Sequence, residues 1–169
     1  ATRCPPSVAQ KYLNPTDIRD VDKVQRSLLQ GYQYDIAHYA TAEEKVKAEK
    51  CYLSLAKQLL DKENHKFQYK EIEHGGRAQK YYSSVEWLLR ADMVQLCKLV
   101  TDVRVGLDDY ARDDFFRAYT TDLSLLMAMK DFSLKQHIVE NTLTGNSKGG
   151  IYECAIADAL YKKGYQIYF

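Results

Sequence analysis

The chain has 169 residues, of which 46% are apolar and 28% charged, and its formal net charge is +1. This composition argues against a wholly disordered chain, a strongly basic nucleic-acid coat and an acidic solvating tail. Length and apolar content predict one domain, or one domain with part of a second. Since no apolar run approaches the ~20 residues that cross a bilayer, we expect no membrane contact.

The cysteines are widely spaced along the chain. Cys4, Cys51, Cys97 and Cys154 lie 46 to 57 residues apart, so they form none of the close pairs that supply zinc ligands. No secretory signal pattern is present. These features predict reduced thiols, no metal site and a cytoplasmic protein, although spacing alone leaves disulfides open.

Two helices are predicted in the first part of the chain. Residues 1–16 are irregular, and apolar residues then recur at helical spacing over about 17–39. Thr41-Ala-Glu-Glu44 is a capping box, which predicts a second helix to about Asn64. Its predicted apolar stripe is Val46, Tyr52, Leu53, Ala56, Leu59 and Leu60.

The middle of the chain combines short strands with a longer helix. Residues 66–69 alternate polar and aromatic side chains, as a strand does, and a short helical turn and a glycine pair follow. A helix is predicted over 77–92, and a hairpin of strands 94–100 and 116–119 encloses a polar loop. The predicted apolar face of this helix is Ala78, Tyr82, Val85, Leu88 and Leu89. This order is typical of a winged-helix domain, in which the hairpin forms the wing.

The last part of the chain is predicted to be helical with one break. Residues 123–143 form one helical pattern, and the glycine-containing stretch 144–150 interrupts it. A helix then runs from Ile151 to Lys163 and ends at Gly164, followed by a segment of strand composition at 165–169. Because nothing upstream supplies an obvious partner strand, we expect the chain to stop where another domain begins.

A basic surface is predicted around the long helix. Over residues 65–90, five Lys and Arg oppose three Glu, a local excess of +2. Side chains off the apolar face could reach phosphates or base edges. The candidate DNA contacts are Lys66, Lys70, Arg77, Lys80, Ser83 and Ser84. A solvated charged face, or a protein contact, is the alternative.

The sequence contains no complete catalytic site. The stretch from Gly145 to Gly150 lacks the spacing of a phosphate-binding loop, which favours a flexible connector. The acidic stretch 108–114 lacks the alternation of a calcium loop, which favours a solvated loop. The four histidines show no metal-binding spacing. We therefore predict a non-enzymatic chain without a cofactor or metal of its own.

Five stretches, in chain order, carry a resemblance to a known family. They are Pro6-Ser-Val-Ala-Gln-Lys-Tyr-Leu13, Val24-Gln-Arg-Ser-Leu-Leu-Gln-Gly-Tyr32 with Asp35 and Tyr39, Lys66-Phe-Gln-Tyr69 with Arg77-Ala-Gln-Lys-Tyr81 and Trp87-Leu-Leu89, Phe116-Arg-Ala-Tyr-Thr-Thr-Asp-Leu-Ser-Leu-Leu126, and Lys148-Gly-Gly-Ile-Tyr-Glu153 through Gly164-Tyr-Gln-Ile-Tyr168. These stretches resemble the C-terminal region of prokaryotic AAA-type ATPases, a region long described as a domain of unknown function. Ser124 and Cys154 depart from residues common in that family, glycine and asparagine respectively.

The resemblance implies a larger protein. An ATPase domain that binds ATP and magnesium would precede this region, and a restriction-endonuclease-like domain would complete it. Glu153 would be the helix acid of that nuclease-like fold, an incomplete site because two-metal chemistry needs several carboxylates. The implied organisation is a helical lead-in at 1–45, a winged-helix domain at 46–126, a helical connector at 127–148 and the start of a truncated α/β nuclease-like domain at 149–169.

Two functions follow as hypotheses from these features. The first is a mainly α, non-catalytic part of an AAA-type ATP-binding protein, whose winged helix binds DNA weakly or contacts the ATPase domain or a neighbouring subunit. The alternative is a free-standing winged-helix DNA-binding protein resembling a transcription factor. The small local charge excess predicts few phosphate contacts in either case.

Overall fold

The computed structural model describes residues 17–60 and 66–169. Over these residues the chain is mainly helical, with six α-helices and one antiparallel sheet of two strands. Predictions for residues 1–16 and 61–65 lie outside the described residues. The elements are α1 (Ile18–Tyr39), α2 (Ala42–Leu60), α3 (Ala78–Arg90), β1 (Val94–Val100), β2 (Ala111–Thr120), α4 (Leu123–Ala128), α5 (Phe132–Val139) and α6 (Gly145–Lys162).

The starts of the first two helices follow local chemistry. The Asp17 carboxylate accepts a hydrogen bond from the Arg19 backbone N–H at 3.0 Å, and Thr41 Oγ1 accepts from the Glu44 N–H at 3.3 Å. The predicted cap at Thr41 is thus confirmed. The Glu44 carboxylate, however, accepts hydrogen bonds from Ser83 and Ser84 of α3. The glutamate of the predicted capping box thus joins α2 to α3.

The buried faces of α2 and α3 are rotated from the predicted stripes. Val46 and Leu53 of α2 are exposed, and so are Ala78, Tyr82 and Leu89 of α3. The predicted stripes were therefore wrong at these positions. For α2, the buried arc is set by its contacts with α1, α3, α4 and α6, which the spacing of apolar residues does not show. The residues that α2 buries are Ala48, Cys51, Tyr52, Leu55, Ala56, Gln58, Leu59 and Leu60, and those of α3 are Tyr81, Ser84, Val85 and Leu88.

The hairpin is longer than predicted, and the strand predicted at 66–69 is absent. Strand β2 begins at Ala111 and pairs with β1 along its length, with an irregularity between Lys98 and Leu99. A single hydrogen bond, from the Phe67 N–H to the Phe116 carbonyl at 2.9 Å, replaces the expected strand. The chain then turns through a 3₁₀ helix at Tyr69–Glu71, which removes the backbone from further pairing.

The helical pattern at 123–143 is divided into α4 and α5. The Asp122 side chain caps α4 by accepting from the Ser124 N–H at 2.7 Å. Between the helices, the Lys130 carbonyl accepts a hydrogen bond from the Arg26 guanidinium of α1 at 2.9 Å. A tertiary contact thus satisfies a carbonyl where the predicted single helix is interrupted.

The glycine-containing stretch predicted as a break forms the first turns of α6. Ser147 Oγ donates to the Leu60 carbonyl at 3.0 Å, so this end of α6 contacts the end of α2. A Cβ on Gly150 would lie 1.9 Å from the Leu59 carbonyl oxygen, and the two helices therefore need glycine where they cross. The predicted C-terminal stop is confirmed: Gly164 has φ +81°, and its N–H donates to the Tyr161 carbonyl at 2.9 Å.

The C-terminal segment has a partner within the described chain. The Phe169 N–H donates to the Lys98 carbonyl at 3.1 Å, and the Phe169 carbonyl accepts from the Val100 N–H at 2.9 Å. The segment runs parallel to β1 there, so the expectation that nothing upstream pairs with it was wrong. The sequence could not reveal this pairing, because α6 reverses the chain before the segment returns to the sheet.

One cluster of buried apolar side chains joins the elements. It includes Leu29 of α1, Leu55 of α2, Leu88 of α3, Leu126 of α4 and Cys154 of α6. The core is therefore continuous across residues 45, 126 and 148, and those domain boundaries stay predictions. Cys51, Cys97 and Cys154 are buried free thiols, whereas Cys4 lies outside the described residues.

No helix within 17–60 or 66–169 is both long and apolar enough to cross a membrane.

Candidate functional site

Three of the predicted DNA contacts are exposed cations near the start of α3. Lys70 lies in the 3₁₀ helix, Arg77 directly precedes α3, and Lys80 lies in its first turn. The Lys80 ammonium pairs with Glu73, which also pairs with Lys50 at 3.2 Å. Hydrogen bonds from Lys80, Tyr81 and Lys50 lower the pKa of Glu73 to about 2. Lys80 therefore belongs to an ion-pair network, whereas Lys70 and Arg77 form no ion pair within the described part of the chain.

The other three predicted contacts have different surroundings. Ser84 is fully buried, so the expectation that it lies off the apolar face was wrong. Its hydroxyl and that of Ser83 both donate to Glu44, the Ser83 bonds being 3.3 and 3.4 Å long. The Lys66 ammonium lies over the Phe115 ring of β2, 3.7 Å from its centroid. These three residues join elements of the fold.

One acidic residue, Glu86, also lies on the outward side of α3. Glu86 accepts a hydrogen bond from the Tyr82 hydroxyl at 3.0 Å and pairs with Arg90 at 3.6 Å. A carboxylate in this position opposes the phosphates of a duplex. Glu86, which is already included in the local excess of +2, therefore places negative charge on the face that α3 would offer to DNA.

Glu153 belongs to a polar cluster between α6 and β2. Its carboxylate accepts from the Tyr119 hydroxyl at 2.7 Å and pairs with the Arg117 guanidinium, which lies 4.6 Å from the Phe169 ring centroid. Burial and the bond to Glu153 raise the pKa of Tyr119. Burial alone would lower the pKa of Arg117, but the contacts with Tyr119 and Glu153 raise it.

Two groups of this cluster, Tyr119 and Arg117, keep fixed ionisation states. Tyr119 stays protonated and Arg117 stays charged, so Glu153 is engaged by two donors that connect helix to sheet. Over residues 17–60 and 66–169, no group of three or more His, Cys, Asp or Glu side chains is arranged to hold a metal ion. The arrangement is suited to fixing α6 on β2.

The outward face of α6 is apolar, a feature that the sequence analysis did not identify. Tyr152 and Ile156 are each 60% exposed, and Leu160 is 36% exposed. Lys148 and Lys163, both exposed, lie at the two ends of this face. The sequence signal that could have revealed this face is the spacing 152, 156, 160, which forms one stripe along a helix. This stripe lies opposite the buried stripe that contains Cys154 and Ala157. We call this stripe the α6 outer face.

A groove of about 660 Å³ lies between β1, the C-terminal half of α6 and the segment after it. Gln95 of β1 is 3% exposed, and neither its side-chain oxygen nor its nitrogen has a hydrogen-bond partner within the described chain. A buried amide without partners is costly and requires an explanation. Sequence reasoning treated Gln95 only as part of a strand. The other lining residues are Leu89, Leu96, Lys98, Tyr161, Lys162, Gly164, Tyr165, Gln166, Ile167 and Tyr168.

Comparison with known proteins gives one family. No curated protein matches the chain, and no solved structure matches it. The family described as a domain of unknown function, DUF8612, matches residues 5–136, which covers α1 to α4 and most of α5. That description carries no activity, and the match does not connect the chain to ATPases or nucleases. The chain belongs to the DUF8612 family.

Proposed function

We propose that this chain is a non-catalytic protein-contact module, in which residues 46–126 form a winged-helix unit and α6 supplies the contact surface. The order of α2, the 3₁₀ helix, α3 and the antiparallel hairpin supports this proposal. The Phe67–Phe116 hydrogen bond lies where a third short strand would pair with the hairpin. Fold alone does not assign the partner, so the proposal depends on the surfaces.

The observation that carries the proposal is the α6 outer face. A helix with apolar residues on both sides is ordinarily buried on both sides. The inner side of α6 is buried in the core through Cys154 and Ala157, while Tyr152 and Ile156 face solvent. Exposed apolar patches mark protein contacts, and tyrosine is enriched in them. We assign this face to a non-catalytic contact with another protein surface.

The charges around the α6 outer face define the partner. Lys148 and Lys163 lie at opposite ends of the helix. If α6 packed along α6 of a second copy in either direction, lysines would meet lysines, which is unfavourable. The complementary surface is therefore a different one, with an apolar centre and carboxylates at its two ends.

The resemblance to AAA-type ATPases suggests where such a surface belongs. In that arrangement the partner is the ATPase domain of the same chain or of a neighbouring subunit, and that domain binds ATP and magnesium. The role proposed for this region is then to couple or position domains without chemistry of its own. The engagement of Glu153 by Arg117 and Tyr119 is consistent with a structural role for that acid.

Hydroxyl-radical footprinting tests the protein-contact proposal. We expect Tyr152 and Ile156 to be oxidised severalfold more slowly in the natural full-length protein than in the 169-residue chain. Tyr34 and Tyr39 of α1, 69% and 73% exposed, serve as internal controls whose rates stay equal. Equal oxidation of Tyr152 in both proteins contradicts the proposal. A concentration-dependent dimer of the 169-residue chain that Ile156→Ser abolishes contradicts the choice of partner.

Weak duplex DNA binding is the second candidate function. Within the described part of the chain, Lys70 and Arg77 form no ion pair, which leaves two cations available for phosphates. Each phosphate contact contributes about −0.9 to the slope of log K against log salt, so we expect a slope of about −2. Fluorescence anisotropy at low salt measures it, and Arg77→Ala should reduce the slope by about one. Absence of binding at micromolar protein excludes this candidate for the 169-residue chain.

A further inference from the structure

We infer that the partner of the α6 outer face also inserts an amphipathic helix into the groove between α1, α4, α5 and α6, an inference that rests on the proposed protein contact. This second groove has a volume of about 370 Å³. Its apolar lining includes Ile138 and Val139 of α5, which are 38% and 61% exposed, and Ile151 of α6. The contact then comprises two adjoining surfaces, and a helix of the partner occupies the second.

The α6 outer face alone is too small for a stable contact. Even a tyrosine buries at most about 250 Å² when it is fully covered. Tyr152, Ile156 and Leu160 are already partly covered, so together they present less than the about 800 Å² per partner that a stable specific interface buries. The contact must therefore extend beyond this stripe.

The two flanks of the α6 outer face differ in polarity. On the flank toward β2, Glu153 is held in a polar cluster by two donors of that strand. On the opposite flank, Ile151, Ala155 and Ala159 form a second stripe at i, i+4 spacing, directly beside the α6 outer face. Because Ile151 also lines the groove, apolar side chains join the two surfaces. The contact therefore extends toward the groove and not toward β2.

The groove favours an apolar occupant. Its two lysines are neutralised within the protein, since Lys135 pairs with Asp22 and Lys162 pairs with Asp158 at 2.6 Å. These pairs leave little charge to attract an ion. The aliphatic part of the lining is instead suited to aliphatic side chains, which gain free energy when they leave water.

A helix is the element that suits this groove. The described lining residues lie in helices or, at Asp122, cap one. Such walls offer few free backbone groups with which a strand could pair, whereas a helix satisfies its own. Amphipathic helices insert side chains at i, i+3 and i+4 into apolar grooves of this kind. Carboxylates near the two ends of the partner helix complement the exposed Lys148 and Lys163 of α6.

Hydroxyl-radical footprinting of the natural full-length protein and of the 169-residue chain tests the inference at Val139. We expect Val139 to be oxidised severalfold more slowly in the full-length protein, because the partner helix covers it. Val46 of α2, which is 52% exposed, is the matched control and should react at the same rate in both proteins. Protection of Tyr152 without protection of Val139 overturns this inference and leaves the protein-contact proposal standing. Equal oxidation of Tyr152 in the two proteins contradicts both.

Two further results bear on the occupant of the groove. In the 169-residue chain Val139 and Val46 should react at similar rates, because they are similarly exposed. Much slower oxidation of Val139 there means that the chain itself or a second copy fills the groove, which overturns the inference. In the full-length protein, Val139→Asp should restore Tyr152 oxidation to the rate in the 169-residue chain, since a charge is costly in an apolar contact.

The matched variant Val46→Asp should leave Tyr152 protected. The buried Tyr81 should stay slow to oxidise in both variants, which shows that they are folded. Protection of Tyr152 that survives Val139→Asp overturns the inference, because the groove then contributes nothing to the contact.

Discussion

Helices α3 and α6 bury one face in the same core, but their outward faces differ. On α3 the exposed residues include Leu89, but most are polar and have partners: Lys80 pairs with Glu73, Tyr82 bonds to Glu86, and Ser83 bonds to Glu44. On α6 the outward residues Tyr152 and Ile156 are apolar. A polar face can be satisfied by its own chain and by water, whereas an apolar stripe stays costly until another surface covers it.

Several of the cations around α3 are already engaged within the protein and are not available to a partner. The run 65–90 has five cations, yet two of them, Lys80 and Arg90, are paired, and Lys66 lies over an aromatic ring. Their partners, Glu73 and Glu86, lie in the same run, but a count along the sequence does not show which cations these carboxylates engage. The α6 outer face, whose residues were predicted only to be helical, is therefore the surface better suited to a partner.

The largest expected effect concerns the inner face of α3. Leu88 is 1% exposed in the core, and Leu88→Ala should cost about 2–5 kcal/mol of the free energy of unfolding because it leaves a cavity. Its neighbour Leu89, which is exposed, is the matched control, and Leu89→Ala should cost less than about 1 kcal/mol. Urea denaturation measures both. Equal losses for the two variants would mean that the buried face of α3 has been assigned wrongly.

A smaller effect is expected where α6 crosses α2. A Cβ on Gly150 would meet the Leu59 carbonyl, so Gly150→Ala should destabilise the chain by about 1–3 kcal/mol as the helices separate. Gly149 has no atom within 4 Å of a built Cβ, and Gly149→Ala should instead stabilise by up to about 1 kcal/mol through helix propensity. Thermal melts of the two variants should move in opposite directions. A shift of the same sign in both would argue against this crossing.

The smallest effect is expected on the outward side of α3. Glu73→Gln removes the ion pairs with Lys80 and Lys50, which are exposed and therefore weak. Because Lys80, Tyr81 and Lys50 together lower the pKa of Glu73 from 4.5 to about 2, their contribution is present above pH 4.5 and is lost as the pH falls to about 2. The difference in melting temperature between Glu73→Gln and wild type should vanish over that interval and shrink in high salt. A pH-independent difference would assign the effect to packing.

Elements with strong local signals were predictable. The helix after Asp17, the cap at Thr41 and the stop at Gly164 depend on neighbouring residues, and the structure has all three. The antiparallel hairpin was predicted as well, with β2 too short. The glycines within 144–150 were wrongly predicted to break a helix, because glycine has a low helix propensity. Gly150 is needed instead for the close approach to the Leu59 carbonyl, a contact that the sequence does not show.

By itself the sequence determined that the chain is mainly helical with one short hairpin, since periodicity and capping are local. Only the tertiary structure decided which charges remain available, which face of α6 is exposed, and that the segment ending at Phe169 returns to pair with β1. The same is true of Gln95, whose amide is unpaired because of what lies around it and not because of its neighbours in sequence. The physical reason is that pairing, burial and groove formation depend on contacts between residues tens of positions apart, which a pattern along the chain does not encode.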